Sequence, residues 1–155
     1  HATGGSARKV LEDSRESSAA LLGADPDEVI FTSGGTESIN LAIRGFVGSA
    51  PGTIVLTAGE HPATSETCRD LEREGWKLHI LDVDQDGRLI EGQYASLPWD
   101  DIQFVTVILA HNETGVIQDV GGLAEQCRAV ADTHLTLPTH LRVVIPRDDA
   151  IVHID

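Results

Sequence analysis

Short β-branched runs alternate along this chain with stretches of helical apolar periodicity, and that alternation restricts the fold more than any other feature. The runs "EVIFT" (28–32), "TIVLT" (53–57), "KLHIL" (77–81), "IQFVTVILA" (102–110) and "AIVHI" (150–154) read as strands. Residues 7–22 place Ala7, Val10, Leu11, Ser14, Leu21 and Leu22 near one helical face, with Gly23 as the stop. Ile39, Leu41, Ala42, Ile43 and Phe46 predict a helix closing near Gly48. Residues 62–74 carry Ala63, Thr67, Cys68 and Leu71 on one stripe, and residues 120–134 carry Val120, Leu123, Ala124, Cys127, Val130 and Ala131. Strands that are apolar on both faces need helices on both sides of a parallel sheet. The expected class is therefore α/β, a three-layer α/β/α arrangement with a mainly parallel sheet. "THLTLPTHLRVVIPRDD" (133–149) breaks the rhythm with two prolines and mixed charge, and reads as a long connection between the last helix and the last strand.

Composition sets the surroundings in which such a sheet works. At 155 residues, 41% hydrophobic and 23% charged, the chain has the balance of one soluble globular domain. Twenty-five acidic residues against 11 basic ones give a net charge of −14, a field that repels nucleic acid and anionic membrane surfaces alike. Cys68 and Cys127 each fall on the apolar side of a helical pattern, so no disulfide framework is expected and an intracellular, reducing compartment is. No apolar run approaches the ~18 residues of a membrane span, and residues 1–20 lack the apolar core of a signal peptide. A metal module built on His61, His134, His140, His153 and the two cysteines fits no zinc spacing, so no metal site is expected.

In open α/β sheets, ligands bind beyond the carboxyl ends of the strands, where loops enter helices. Four polar groups follow predicted strands: Thr36, His61, Asn112 and Asp155. With all strands parallel they would share one rim. Gly34 and Gly35 bare the backbone beside the Thr36 hydroxyl at a helix start, a place suited to a phosphate. Each group also has an ordinary reading. Thr36 can cap its helix, His61 can be an exposed N-terminal residue before Pro62, Asn112 can form a turn, and Asp155 can be a solvated loop acid.

Five segments in order, "FTSGGTES", "EHPATSETCRDLEREGW" (60–76), "VDQDGR", "LAHNETGVIQDV" (109–120) and "VHID", resemble the cysteine desulfurase and selenocysteine lyase family. These are pyridoxal-phosphate enzymes of the class V aminotransferase group. The resemblance implies a phosphate held by Gly35 and Thr36, His61 stacked on the cofactor ring and moving protons, Asn112 near the phenolic oxygen, and Asp155 paired with the ring nitrogen. It further implies an L-cysteine or L-selenocysteine substrate, alanine as product, a homodimer and a sulfur-acceptor protein.

The same resemblance shows what is missing. The only lysines are Lys9 and Lys77, neither in a Ser-x-His-Lys setting like that of the family's Schiff-base lysine. The family's cysteine-bearing loop and small domain are also absent, and Cys68 and Cys127 match structural helix positions. Residues 1–155 thus read as part of the large, cofactor-binding domain, inactive alone. A truncated, non-catalytic paralogue acting as a binding subunit is the alternative reading. His111 departs from the family pattern, where asparagine is usual, and adds a second imidazole beside Asn112.

Overall fold

A computed structural model describes residues 2–133, 142–147 and 150–154, with side chains described for residues 4–129. The chain divides into two compact units, residues 1–33 and 34–155.

In the first unit, helix α1 spans Ala2–Leu22 and stops at Gly23, whose φ of +70° is left-handed. A 3₁₀ turn, Pro26–Glu28, follows, with the Glu28 carboxylate accepting from the Asp25 amide at 2.7 Å. "EVIFT", expected as a strand, is not one. The Arg15 guanidinium donates to the Val29 carbonyl and lies 5.0 Å from the Phe31 ring centre, while Ile30 and Phe31 are 68% and 44% exposed. A five-residue apolar run carries no information about whether a neighbouring strand exists to pair with it, and Arg15 occupies the Val29 carbonyl instead.

The second unit holds helices α2 (Gly35–Phe46), α3 (Pro62–Arg73) and α4 (Gly121–Thr133) with strands β1 (Thr53–Thr57), β2 (Lys77–Leu81), β3 (Ile102–Thr106), β4 (Arg142–Arg147) and β5 (Ala150–Ile154). The sheet order is β2-β1-β3-β4-β5. β1 pairs in parallel with β2 and β3, and β3 in parallel with β4, whereas β4 and β5 are antiparallel.

Alternation along β1 and β3 builds the layers. Ile54, Leu56 and Phe104 point to one face and pack with Ile43 and Val47 of the α2 segment and Cys68 and Leu71 of α3. Val55 and Val105 point to the other and pack with Leu123 and Cys127 of α4. Burying each large apolar side chain in these clusters contributes about 1.5–3 kcal/mol. The α/β class, the three layers and the mainly parallel sheet are as the sequence predicts.

Three expectations need correction here. The 133–149 connection contains β4. Pro146 reads as a breaker, yet β4 pairs with β3 only through Arg142–Val144, so Pro146 lies beyond that ladder and no β3 bond is lost for want of its N–H. Strand 102–110 stops at Thr106, although Val107 and Ile108 remain buried. "AIVHI" is a strand, but its antiparallel sense sets Ile154 opposite Val143, near the start of β4.

Candidate functional site

β1 ends at Thr57, and a four-residue turn carries the chain to α3. Pro62 opens that helix, where its missing N–H costs nothing. His61 caps it: Nδ1 accepts from the Ala63 amide at 3.1 Å, and its carbonyl accepts from Thr64 and Ser65 at 2.9 and 3.1 Å. A neutral ring that accepts at Nδ1 carries its proton on Nε2. The exposed imidazole therefore offers an Nε2–H donor outside the helix.

β3 leads through Val107–Ala110 into a tight loop. His111 Nδ1 accepts from the Glu113 and Thr114 amides, both at 3.3 Å. The His111 amide donates to Val116 O at 2.9 Å and the Gly115 amide to His111 O at 2.8 Å. Asn112 sits exposed at the tip. Gln118, only 5% exposed, anchors the base by accepting from the Leu89 amide at 2.8 Å and donating to Gly87 O at 2.7 Å.

α2 begins at Gly35. Only the five residues 48–52 separate its C-terminal cap, Val47, from β1, so the helix runs antiparallel to β1 and its N-terminus lies toward the carboxyl end of that strand. Gly35 and Thr36 are its first two residues, and amides so placed have no carbonyl within the helix to bond. A Cβ added at Gly34 would meet nothing within 4 Å, so space beside this turn is open to an approaching group. The Thr36 carbonyl is occupied by Asn40 Nδ2 at 3.0 Å.

Between the β1 and β3 loops lies Glu60. Its Oε1 accepts from the Ile108 amide at 2.7 Å and the Thr57 hydroxyl at 2.9 Å. Burial raises its carboxyl above the ordinary range, against the opposing pull of Ile108, Thr57 and Thr64. Burial likewise pushes the Cys68 and Cys127 thiols up to about 12, with Glu60 adding to the effect at Cys68 once its carboxyl ionises.

Thus Gly35, Thr36, His61 and Asn112 come to the carboxyl-end edge of neighbouring parallel strands, although Thr36 follows an extended segment instead of a strand. Asp155 lies outside the described residues. The expectation that it shares this edge therefore has no counterpart among the described residues, whose last strand, β5, is antiparallel to β4. Among the described residues no three His, Cys, Asp or Glu side chains gather to hold a metal. His134 and His140 also fall outside the described residues.

Sequence reading missed Glu60 and Gln118, since a Glu before a helix reads as solvated. One signal was available: no Lys or Arg occurs between Arg44 and Arg69, so nothing local could pair with that acid. His111, noted only as a departure, turns out to organise the Asn112 loop.

Known proteins share this chain's sequence and fold. Cysteine desulfurase IscS of Pseudoalteromonas translucida (strain TAC 125) is 40% identical over 131 residues, covering 83% of this chain and 32% of the relative. The chain thus spans about a third of the length of the curated relatives it matches. A solved NifS-like protein superposes with a TM-score of 0.76 at 31% identity, over 96% of this chain and 42% of that one. The structure described as SspA in complex with cysteine gives 0.70 at 29% identity, over 91% and 40%. Residues 1–137 match the family described as Aminotransferase class-V. A parallel sheet with its glycine turn, capping histidine and asparagine loop on one edge, together with that match, makes this chain a member of the class-V aminotransferase family.

Proposed function

We propose that the complete protein is a pyridoxal-phosphate-dependent cysteine desulfurase-like enzyme and that this chain supplies part of its cofactor site. The observation that carries the reading is the meeting of the α2 N-terminus, His61 and Asn112 at one edge of β1 and β3. When bound, pyridoxal phosphate supplies an electron sink for charge developing at the substrate's Cα. The Gly35 and Thr36 amides, the Thr36 hydroxyl and the α2 dipole would hold its phosphate. His61 would cover the ring face and pass a proton through Nε2, while Asn112 would donate to the phenolic oxygen. Asp155 takes the ring-nitrogen role by resemblance alone.

Neither lysine suits the cofactor. Lys9 is ion-paired with Asp13 at 2.8 Å, and Lys77 starts β2, at the far end of the sheet, paired with Asp101 at 3.1 Å. The proposal therefore takes that lysine, and the cysteine that receives sulfur, from outside these residues. The buried Cys68 and Cys127 are unsuited to the second task. L-cysteine is the proposed substrate, in keeping with the cysteine complex of SspA, and a homodimer and a sulfur-acceptor protein are the proposed partners. L-selenocysteine is the alternative substrate.

The test is cofactor binding by the complete gene product. Thr36→Val keeps the side-chain shape but removes one donor to a charged phosphate, so affinity should fall by about tenfold or more. Unchanged affinity would remove the phosphate from this turn.

A further inference from the structure

Glu60 is the residue before His61, and its side chain bridges two loops. Through Oε1 it joins the β1 end, at the Thr57 hydroxyl, to the Ile108 amide just past β3. Ile108 stands at the start of the segment that leads to Asn112. Oε2 is buried without a hydrogen-bond partner, and so is Oγ1 of Thr64 in the first turn of α3. The Thr64 hydroxyl can turn to Oε2 in either charge state, donating to a carboxylate or accepting from the acid, while Oε1 accepts from its two donors. The deep burial of the group is what penalises the charged form.

We propose that Glu60 is a positioning residue that, as a neutral carboxylic acid, ties the His61 cap to the Asn112 loop and so sets the spacing between the two groups that face the cofactor. The part concerning the cofactor rests on the proposed function above, whereas the tie itself does not. Burial supports the neutral form by pushing the carboxyl up, and the influences on it include no cation. The titratable group beside it is Cys68 of α3, whose thiol stays protonated at about 12. The adjoining His61 ring is already committed at Nδ1 to the Ala63 amide.

Glu60→Gln copies the neutral acid: its carbonyl accepts from Ile108 and Thr57, and its amide donates to Thr64. Glu60→Ala removes the tie, and Glu60→Asp, shorter by one methylene, covers the case in which the alanine variant fails to fold. The first measurement, made on the complete gene product without cofactor, is exchange of the Ile108 amide. Wild type and Glu60→Gln should protect it equally, and the Ala or Asp variant should exchange about tenfold faster or more. The second is stability against pH. Because the folded-state carboxyl is raised above its unfolded value, the folded state holds the proton more tightly. Stability should then fall as pH climbs from the ordinary carboxylate range through the raised value, and Glu60→Gln should lose that slope. The third is turnover with cofactor bound, where Glu60→Gln should stay within about twofold of wild type and the shorter variants should lose about tenfold or more in kcat. A Gln variant as impaired as Ala, or Ile108 exchange indifferent to all three changes, would overturn the inference. Failure of wild type to bind pyridoxal phosphate would instead refute the proposed function, while amide exchange and the pH slope still decide the tie.

Discussion

His61 caps α3 and, on the proposed function, also serves the cofactor, two roles that single residue changes can separate. Its Nδ1 caps α3 at Ala63, and the rest of the ring is free for chemistry. Asn reproduces the acceptor near the position of Nδ1 but has no ring. His61→Asn should therefore retain stability within a few tenths of a kcal/mol, while His61→Ala loses about 1 kcal/mol, a usual figure for a deleted cap. Both should lose turnover together. Denaturant midpoints and alanine release, measured on the same preparations of the complete gene product, check this. Equal stability of the two variants would show that the cap bond is idle. At this scale the sequence was informative about where polar residues follow strands and silent about their second contacts. His61 and Asn112 follow strands, a position readable from periodicity, whereas the Gly-Thr turn opens a helix without the strand expected before it. The hydrogen bonds of Glu60 to Ile108 and of Gln118 to Gly87 and Leu89 join residues 48, 31 and 29 positions apart, which only the fold brings together.

At the level of elements, what was legible followed from burial on two faces. β1 is buried from Thr53 to Thr57, and its apolar run is unmistakable in the sequence. β2, at the sheet edge, has Ile80 51% exposed yet was still readable from its β-branched and apolar content. "EVIFT" has the same content and forms no strand, because pairing depends on a neighbour and not on composition. β4 was hidden by Pro146, and the sense of β5 could not be read at all, since strand direction leaves no trace in periodicity. α3 and α4 gave themselves away by their apolar stripes, and those stripes bury Cys68 at 0% and Cys127 at 2% exposure. With both thiols near 12, neither should react with a thiol reagent at neutral pH until the helices open. Alkylation mapped by mass spectrometry should label these two positions only after denaturation. Rapid labelling of Cys127 in the native protein would mean that α4 does not pack on β3 as described.

Over the whole molecule, a net charge of −14 leaves an anionic cofactor dependent on local donors, which the first-turn amides of α2 can offer. The chain matches about a third of its relatives' length, and its two cysteines, Cys68 and Cys127, are buried. Activity is accordingly a property to be sought in the complete gene product. The most direct measurement is alanine released from L-cysteine per bound pyridoxal phosphate, with cofactor content determined in the same preparation. The account predicts stoichiometric cofactor and sustained alanine release that disappears when the cofactor is removed and returns when it is restored. A folded protein that binds no pyridoxal phosphate and forms no alanine from L-cysteine or L-selenocysteine would contradict it.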